Sequence, residues 1–251
     1  EEILNARDVQ RILLPDKAPP LSGYRISGRN RAAGSLSGDY YDFIPLGKHA
    51  LGVAIADVSG KGLPASLTMV MGRSVLRANT EAWQSPAEAL AMVNRILHPD
   101  MRTDMFVSMI YLIAKAGSGE IVMARAGHDP ALVYRAASKN VEEIAPSGLA
   151  VGVDVGPIFE RDTQDHSIHL ERGDILLLFV GECGSTHTVQ SGRGRSGRGR
   201  GAGGKVVGCR PHPRGSSSSL GAPAASTRVC FGSPVVHHRA IIAFPPSVDR
   251  G

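Results

Sequence analysis

The sequence predicts an α+β domain of layered helices and sheets, consistent with a four-layer α/β/β/α sandwich whose C-terminal part is incomplete. The first observation is element order: a helix, strands, two consecutive helices, then more strands. Elements segregated in this way point to stacked layers rather than alternating βαβ units. The second is a set of short apolar runs bounded by turn residues, which read as buried strands. The third is a break in composition at Glu182/Cys183. Residues 1–182 carry 18 Lys+Arg and 22 Asp+Glu, whereas residues 183–251 carry 10 Lys+Arg and one acid, Asp249. The overall charge of +5 therefore conceals an acidic front and a basic tail.

In chain order, Ile3, Ala6, Val9, Gln10 and Leu13 recur at helical spacing and Pro15 stops the run. Residues 1–15 thus form an N-terminal linker helix. It reads equally as the end of a longer helix from an upstream domain and as a cap on the core. Residues 24–27 and 40–46 read as strands, and 51–56 as a buried strand ending at Asp57. Gly60-Lys61-Gly62 is a turn, and a long helix follows from Pro64 to Asn79. Ser85-Pro86-Ala87-Glu88 opens another helix, with Ser as cap, Pro at the first position and Glu three residues after the cap. Residues 105–114, 121–125, 131–135 and 175–179 read as strands, with Gly117-Ser118-Gly119 as a hairpin turn.

These elements place a domain over 16–182. Residues 183–251, rich in Arg, Gly, Ser and Pro, are predicted to be mostly disordered, because such a stretch buries too little apolar surface to offset its ordering entropy. One marginal strand is expected around Val235-Val236, Ile241-Ile242 and Phe244.

Apolar residues make up 42% of the 251 and charged residues 20%, ordinary values for a soluble globular chain. No run of about 18 apolar residues predicts a membrane span. The charged, mixed first residues do not resemble a signal peptide, so a cytoplasmic location is expected. The spacing of Cys183, Cys209 and Cys230 fits no zinc pattern and reads as free thiols.

Two acidic clusters end or flank predicted strands: Ser37-Gly38-Asp39-Tyr40-Tyr41-Asp42 and Ala56-Asp57-Val58-Ser59-Gly60-Lys61-Gly62. Carboxylates with free carbonyls at strand ends suit Mg²⁺ or Mn²⁺, which favour oxygen ligands. Two such ions about 4 Å apart share a carboxylate and activate water for attack on phosphorus. Each aspartate alone is more often a turn residue or a helix cap.

An ordered series adds specificity. It runs Asp8-Val9-Gln10-Arg11-Ile12-Leu13-Leu14-Pro15, Gly38-Asp39-Tyr40-Tyr41-Asp42, Asp57-Val58-Ser59-Gly60-Lys61-Gly62-Leu63-Pro64-Ala65 and Phe106-Val107-Ser108-Met109. It continues with Ala126-Gly127-His128-Asp129-Pro130-Ala131-Leu132, Gly148-Leu149-Ala150-Val151-Gly152-Val153 and Gly173-Asp174-Ile175-Leu176-Leu177-Leu178-Phe179. In this order the chain resembles the SpoIIE/RsbU-type branch of the PPM serine/threonine phosphatases.

The resemblance implies the α/β/β/α sandwich, with two Mn²⁺ or Mg²⁺ ions between the sheets. It implies hydrolysis of phosphoserine or phosphothreonine on a small partner, a phosphorylated anti-anti-sigma (STAS-like) protein, without a covalent phosphoenzyme. Asp57 would bridge both metals, Asp39 would bind one, and the Val58 carbonyl would complete that ion's protein ligands. Asp42 is a candidate for orienting ligands or water. Gly60 and Lys61 are candidates for contact with phosphate at the start of the long helix, although a solvated loop lysine is the plainer reading. His128 is a candidate general acid, weighed against a histidine that ties its turn together by hydrogen bonds. The N-terminal helix is a candidate homodimer contact.

The chain departs from the family after Phe179. Val180-Gly181-Glu182-Cys183 stands where the family has Thr-Asp-Gly, whose Asp binds the second metal, and no later Asp-Asp pair follows. A shifted reading frame in a GC-rich coding sequence would produce this break. The second metal site is therefore expected to be incomplete, one sheet to lose a strand, and the chain to be weakly active or inactive. A pseudophosphatase that still binds the partner is the alternative. A nucleic-acid binder working through Gly192–Gly201 is a third reading, disfavoured because the tail has few aromatic residues.

Overall fold

The chain starts with helix α1, Glu2–Leu13, and leaves it at Leu14 in an extended conformation (φ −89°, ψ 139°). The cause is Pro15, whose ring disfavours the helical conformation in the preceding residue. In the computed structural model of the chain, the residues described are 1–30, 36–78, 85–180, 187–191, 227–231 and 238–243. After α1 come strands β1 (Arg25–Asn30), β2 (Tyr40–Leu46) and β3 (Ala50–Val58), then helices α2 (Leu63–Ala78) and α3 (Pro86–Leu97). Strands β4 (Val107–Lys115), β5 (Glu120–Ala126), β6 (Ala131–Arg135) and β7 (Asn140–Ile144) follow. Helix α4 (Pro157–Asp162) and strands β8 (His166–His169) and β9 (Ile175–Val180) complete this part. The remaining strands are β10 (His187–Ser191), β11 (Thr227–Phe231) and β12 (His238–Ala243).

Two five-stranded sheets result, one ordered β2-β3-β4-β5-β8 and the other β1-β12-β9-β6-β7. The two-residue period of a strand sorts their side chains between two cores. Leu51, Val53 and Ile55 of β3, with Ile110 and Leu112 of β4, meet Leu176, Leu178 and Val133 in a core between the sheets. Ala54, Ala56 and Val58 take the opposite face of β3 and pack against Ala65, Met69 and Leu76 of α2 and Leu90, Val93 and Leu97 of α3. Helix α3 is capped as its sequence predicts: Ser85 accepts a hydrogen bond from the Glu88 amide, with Pro86 at the first turn.

The expected α+β sandwich is therefore the observed class. The described residues build three of its layers: the helices α2 and α3, and the two sheets. Among the described residues no helix is long and apolar enough to cross a membrane.

The chain divides into two compact units, Glu1–Gly181 with His237–Gly251, and Glu182–Val236. In the second, β10 pairs with β11 antiparallel, from His187↔Phe231 to Ser191↔Thr227. In the first, β12 lies between β1 and β9, from Arg25↔Ala243 to Asn30↔His238 on one side and from His238↔Val180 to Ala243↔Ile175 on the other. β12 covers part of the one strand expected within 183–251, and it corrects the expectation that a sheet loses a strand, because the sheet is filled at this position. The reason is Ile242, which is fully buried in the core between the sheets and opposes Leu176 in register. The Gly192–Gly201 tract, the Ser216–Ser219 run and Val235, Val236 and Phe244 lie outside the described residues.

If β12 contributes through this one apolar contact set, Ile242→Ala should destabilise the chain by about 3 kcal/mol. The measurement is urea unfolding followed by the fluorescence of the single tryptophan, and a change below about 1 kcal/mol would contradict the placement.

Candidate metal centre

The register of β2 and β3 carries the site. Tyr40 pairs with Ala56, and Phe43 with Val53. One step beyond the last pair, Asp39 comes beside Asp57. Both share the parity of Tyr41, Phe43, Val53 and Ile55, which line the core between the sheets. The two aspartates therefore occupy one face of one sheet at one end of the sandwich, as a shared ligand pair requires. Both are half-buried.

Their electrostatics follow from this proximity. Burial first, then the charge of Asp39 and a side-chain hydrogen bond with it, and last the charge of Asp129 push the Asp57 carboxyl up to about 7. Two carboxylates this close share a proton unless a cation neutralises them. Asp129, in the loop after β5, thus adds to the negative potential, although the sequence reading did not single it out.

Gly38 shapes the third component. A side chain there would put its Cβ 2.8 Å from the Val58 carbonyl oxygen, 3.1 Å from the Val58 Cβ and 3.2 Å from the Ala65 Cβ. Only glycine lets the chain pass so close to that carbonyl. Asp39 and Asp57, with the Val58 carbonyl beside Gly38, are the hard oxygen donors that could hold one Mg²⁺ or Mn²⁺ ion, which takes one or two carboxylates and keeps several waters. Among the described residues no group of three or more His, Cys, Asp or Glu side chains is arranged to hold a metal.

The segment before Asp39 is fixed from a distance. Gln10 of α1 donates from Nε2 to the Ser37 carbonyl at 2.7 Å and accepts from the Ser37 amide at 3.1 Å. The Ser37 hydroxyl in turn accepts from the Asp39 amide at 3.1 Å. The sequence held a signal for this contact. Gln10 is a polar residue on the apolar stripe of its helix, and a polar side chain in that position needs a buried partner.

Asp42 does not belong to the ligand set, which corrects the expectation that it orients ligands or water. Three residues after Asp39, it falls on the helix-facing side of β2 with Tyr40 and Ile44. There it is fully buried and accepts a fork of hydrogen bonds from Arg77 of α2, at 2.5 Å to Nε and 2.6 Å to Nη2. The Tyr40 hydroxyl adds a third at 2.8 Å. Arg73 stands 3.9 Å away and donates to the Leu13 carbonyl. Asp42 therefore clamps α2, and through Arg73 the end of α1, onto the sheet.

His128 is buried, with Nδ1 2.9 Å from the Ser108 hydroxyl and Nε2 3.0 Å from the Phe179 carbonyl. Both ring nitrogens are occupied by the protein, so the structure supports the tying role and not the general acid. Gly60 and Lys61 are exposed in the loop between β3 and α2, where Gly60 has φ +91°. Glu182 lies outside the described residues.

The two-sheet sandwich thus carries an aspartate pair at the end of its inner face. The sequence profile described as Stage II sporulation protein E (SpoIIE) matches residues 47–180, and the chain belongs to that family. It is 32% identical over 185 residues to phosphoserine phosphatase RsbU of Bacillus subtilis, an alignment covering 72% of this chain and 54% of that protein. Among solved structures, the RsbU and RsbW domains of Rv1364c from Mycobacterium tuberculosis match with a TM-score of 0.57 and 26% identity, over 66% of this chain and 46% of that one. The PP2C domain of SpoIIE from Bacillus subtilis matches with a TM-score of 0.52 at 23% identity, over 65% of this chain and 46% of that one, and shows the fold. The chain spans about half the length of these relatives.

Two outcomes test the site. In the unfolded chain Asp57 loses its proton near pH 4, and in the metal-free fold near pH 7. The stability it contributes is therefore complete below about pH 4 and is lost as the pH rises through about 7. The Asp57→Asn variant should lack this component, so its melting temperature should gain on the parent between pH 4 and 7 and then level off. Gly38→Ala should weaken Mn²⁺ binding by about tenfold or more in calorimetric titration, because its methyl group displaces the Val58 carbonyl.

Proposed function

We propose that this chain is the metal-binding portion of a protein serine/threonine phosphatase acting on a small phosphorylated regulatory protein of the anti-anti-sigma (STAS-like) kind. The observation that carries the reading is the half-buried Asp39–Asp57 pair beside the Val58 carbonyl. In the chemistry proposed, Asp57 and Asp39 would hold Mn²⁺ or Mg²⁺. The cation, when bound, supplies the positive charge that polarises the phosphoryl group and acidifies water. The protein's own contribution is placement. The β2–β3 register fixes the distance between the carboxylates, Gly38 leaves the carbonyl accessible, and Gln10 restrains the approach to Asp39.

The regulatory substrate is supported by the names of the relatives, a phosphoserine phosphatase RsbU and a protein with RsbU and RsbW domains. A cytoplasmic setting and a homodimer through α1 belong to the same proposal. The exposure of Ile3, Leu4, Val9 and Ile12 on that helix supports the dimer.

A second reading, an impaired phosphatase that retains its partner, is favoured by the small donor set. One experiment separates the two. The purified chain is titrated with Mn²⁺ and assayed with p-nitrophenyl phosphate. Weak Mn²⁺-dependent turnover that Asp57→Asn lowers to background is the expected result. One bound ion without turnover would establish the impaired form. Failure to bind Mn²⁺ at all would end the phosphatase reading.

A further inference from the structure

One passage between the sheets takes four residues, Gly127–Pro130, between β5 of the first and β6 of the second. His128 sits in the middle of this passage, and its imidazole touches both sheets. Nδ1 is 2.9 Å from Ser108 Oγ on β4, and Nε2 is 3.0 Å from the Phe179 carbonyl on β9. A carbonyl only accepts, so Nε2 carries the hydrogen and donates it. Burial lowers the affinity of the ring for a second proton, so Nδ1 stays bare and accepts from the Ser108 hydroxyl.

The backbone around the ring is held as well. Arg125 donates from Nε to the His128 carbonyl at 2.5 Å and from Nη1 to the Pro146 carbonyl at 2.8 Å. Gly127 turns the chain at φ +64° and donates its amide to the Gly148 carbonyl at 3.1 Å. A Cβ on Gly127 would stand 2.8 Å from the Ala150 nitrogen, so this turn also requires glycine.

Ser108 has a particular neighbour: it is the register partner of Asp57. Its hydroxyl oxygen lies 3.4 Å from the Asp57 carbonyl oxygen. The single hydroxyl hydrogen of Ser108 goes to Nδ1, so the imidazole reaches the strand end that carries the candidate ligand through the β3–β4 pairing of Ser108 with Asp57, not through a hydrogen bond to the Asp57 carbonyl. On its other side it holds Phe179, on β9, which packs across the sandwich from β3.

We propose that His128 is a positioning residue that pins the ligand-bearing end of the β3–β4 pair to β9 and so sets the placement of Asp57. The assignment rests on the phosphatase reading only in giving Asp57 to a cation; the tie between the sheets stands on its own geometry. Besides it, the last rungs of β3 and β4 are held by their backbone pairing, by the Phe106 amide donating to the Ser59 hydroxyl and by the packing of Val58 and Val107 against the helices, none of which reaches β9.

The test uses the whole chain as the parent and as His128→Ala, His128→Gln and Ser108→Ala, read by amide hydrogen exchange and by Mn²⁺ titration. In His128→Ala the amides of Ser59 and Ser108 should exchange at least tenfold faster, while those of Val53 and Leu112 in mid-strand stay as in the parent. Mn²⁺ affinity should fall about 10-fold to 100-fold. His128→Gln keeps a donor for the Phe179 carbonyl and should recover part of both losses, which a bulk packing role would not. The nitrogen spectrum of the parent imidazole should place the hydrogen on Nε2. Parent-like exchange at Ser59 and Ser108, parent-like affinity, or a hydrogen on Nδ1 would each overturn the proposal. If His128→Ala does not fold, parent-like behaviour of His128→Gln together with Ser108→Ala would also overturn it. A parent chain that binds no Mn²⁺ would refute the cation reading, and the exchange data would still decide the tie.

Discussion

Two like charges, half-buried side by side at the ends of β2 and β3, set the terms for this end of the molecule. At about 4 Å and an effective dielectric near 20, a pair of carboxylates repels by about 4 kcal/mol before sharing a proton. The fold holds them together because neither can move independently of its strand. Asp39 is tied to β2, Asp57 to β3, and both strands are gripped between two cores. The tension is relieved by a proton or by a cation. This makes the same geometry an acid–base anomaly without metal and a ligand pair with it.

Asp42 shows what the same residue type does when its charge is answered. It lies three positions from Asp39 on the same strand, fully buried, and its oxygens are engaged by Arg77 and Tyr40. Such a forked pair is strong in geometry and leaves no lone pair directed at a ligand. The difference between Asp42 and the Asp39–Asp57 pair is which face of the strand each occupies, and therefore whether an arginine or another carboxylate stands beside it.

That distinction marks the limit of what the sequence made legible. Hydrophobic periodicity located α1, α2, α3 and most strands, because each has one apolar face and clear turn residues at its ends. The period of two also put Asp39 and Asp57 within reach of each other once their strands were paired. It did not locate β7, whose Asn140–Ile144 is mostly polar and exposed, nor β8, whose four residues include only Ile168 as an apolar member. It placed Asp42 among the site candidates because adjacency in sequence is not adjacency in space when side chains alternate. Gln10 and Ser37 are 27 positions apart, and no local pattern relates them. The break after Phe179 was evident in composition, yet composition gave only a weak hint of β12, because a six-residue strand inside a sheet needs only a few well-placed apolar side chains.

The position of β12 has a topological consequence. His238 is paired with Val180, so the chain leaves the sheet at one strand end and returns beside its point of departure. Everything in residues 181–237 is, for the sandwich, a detour with a common entrance and exit. The entropy of closing such a detour rises only with the logarithm of its length. Evolution, or an accident of reading, can therefore rewrite this stretch extensively while the strands on either side remain neighbours.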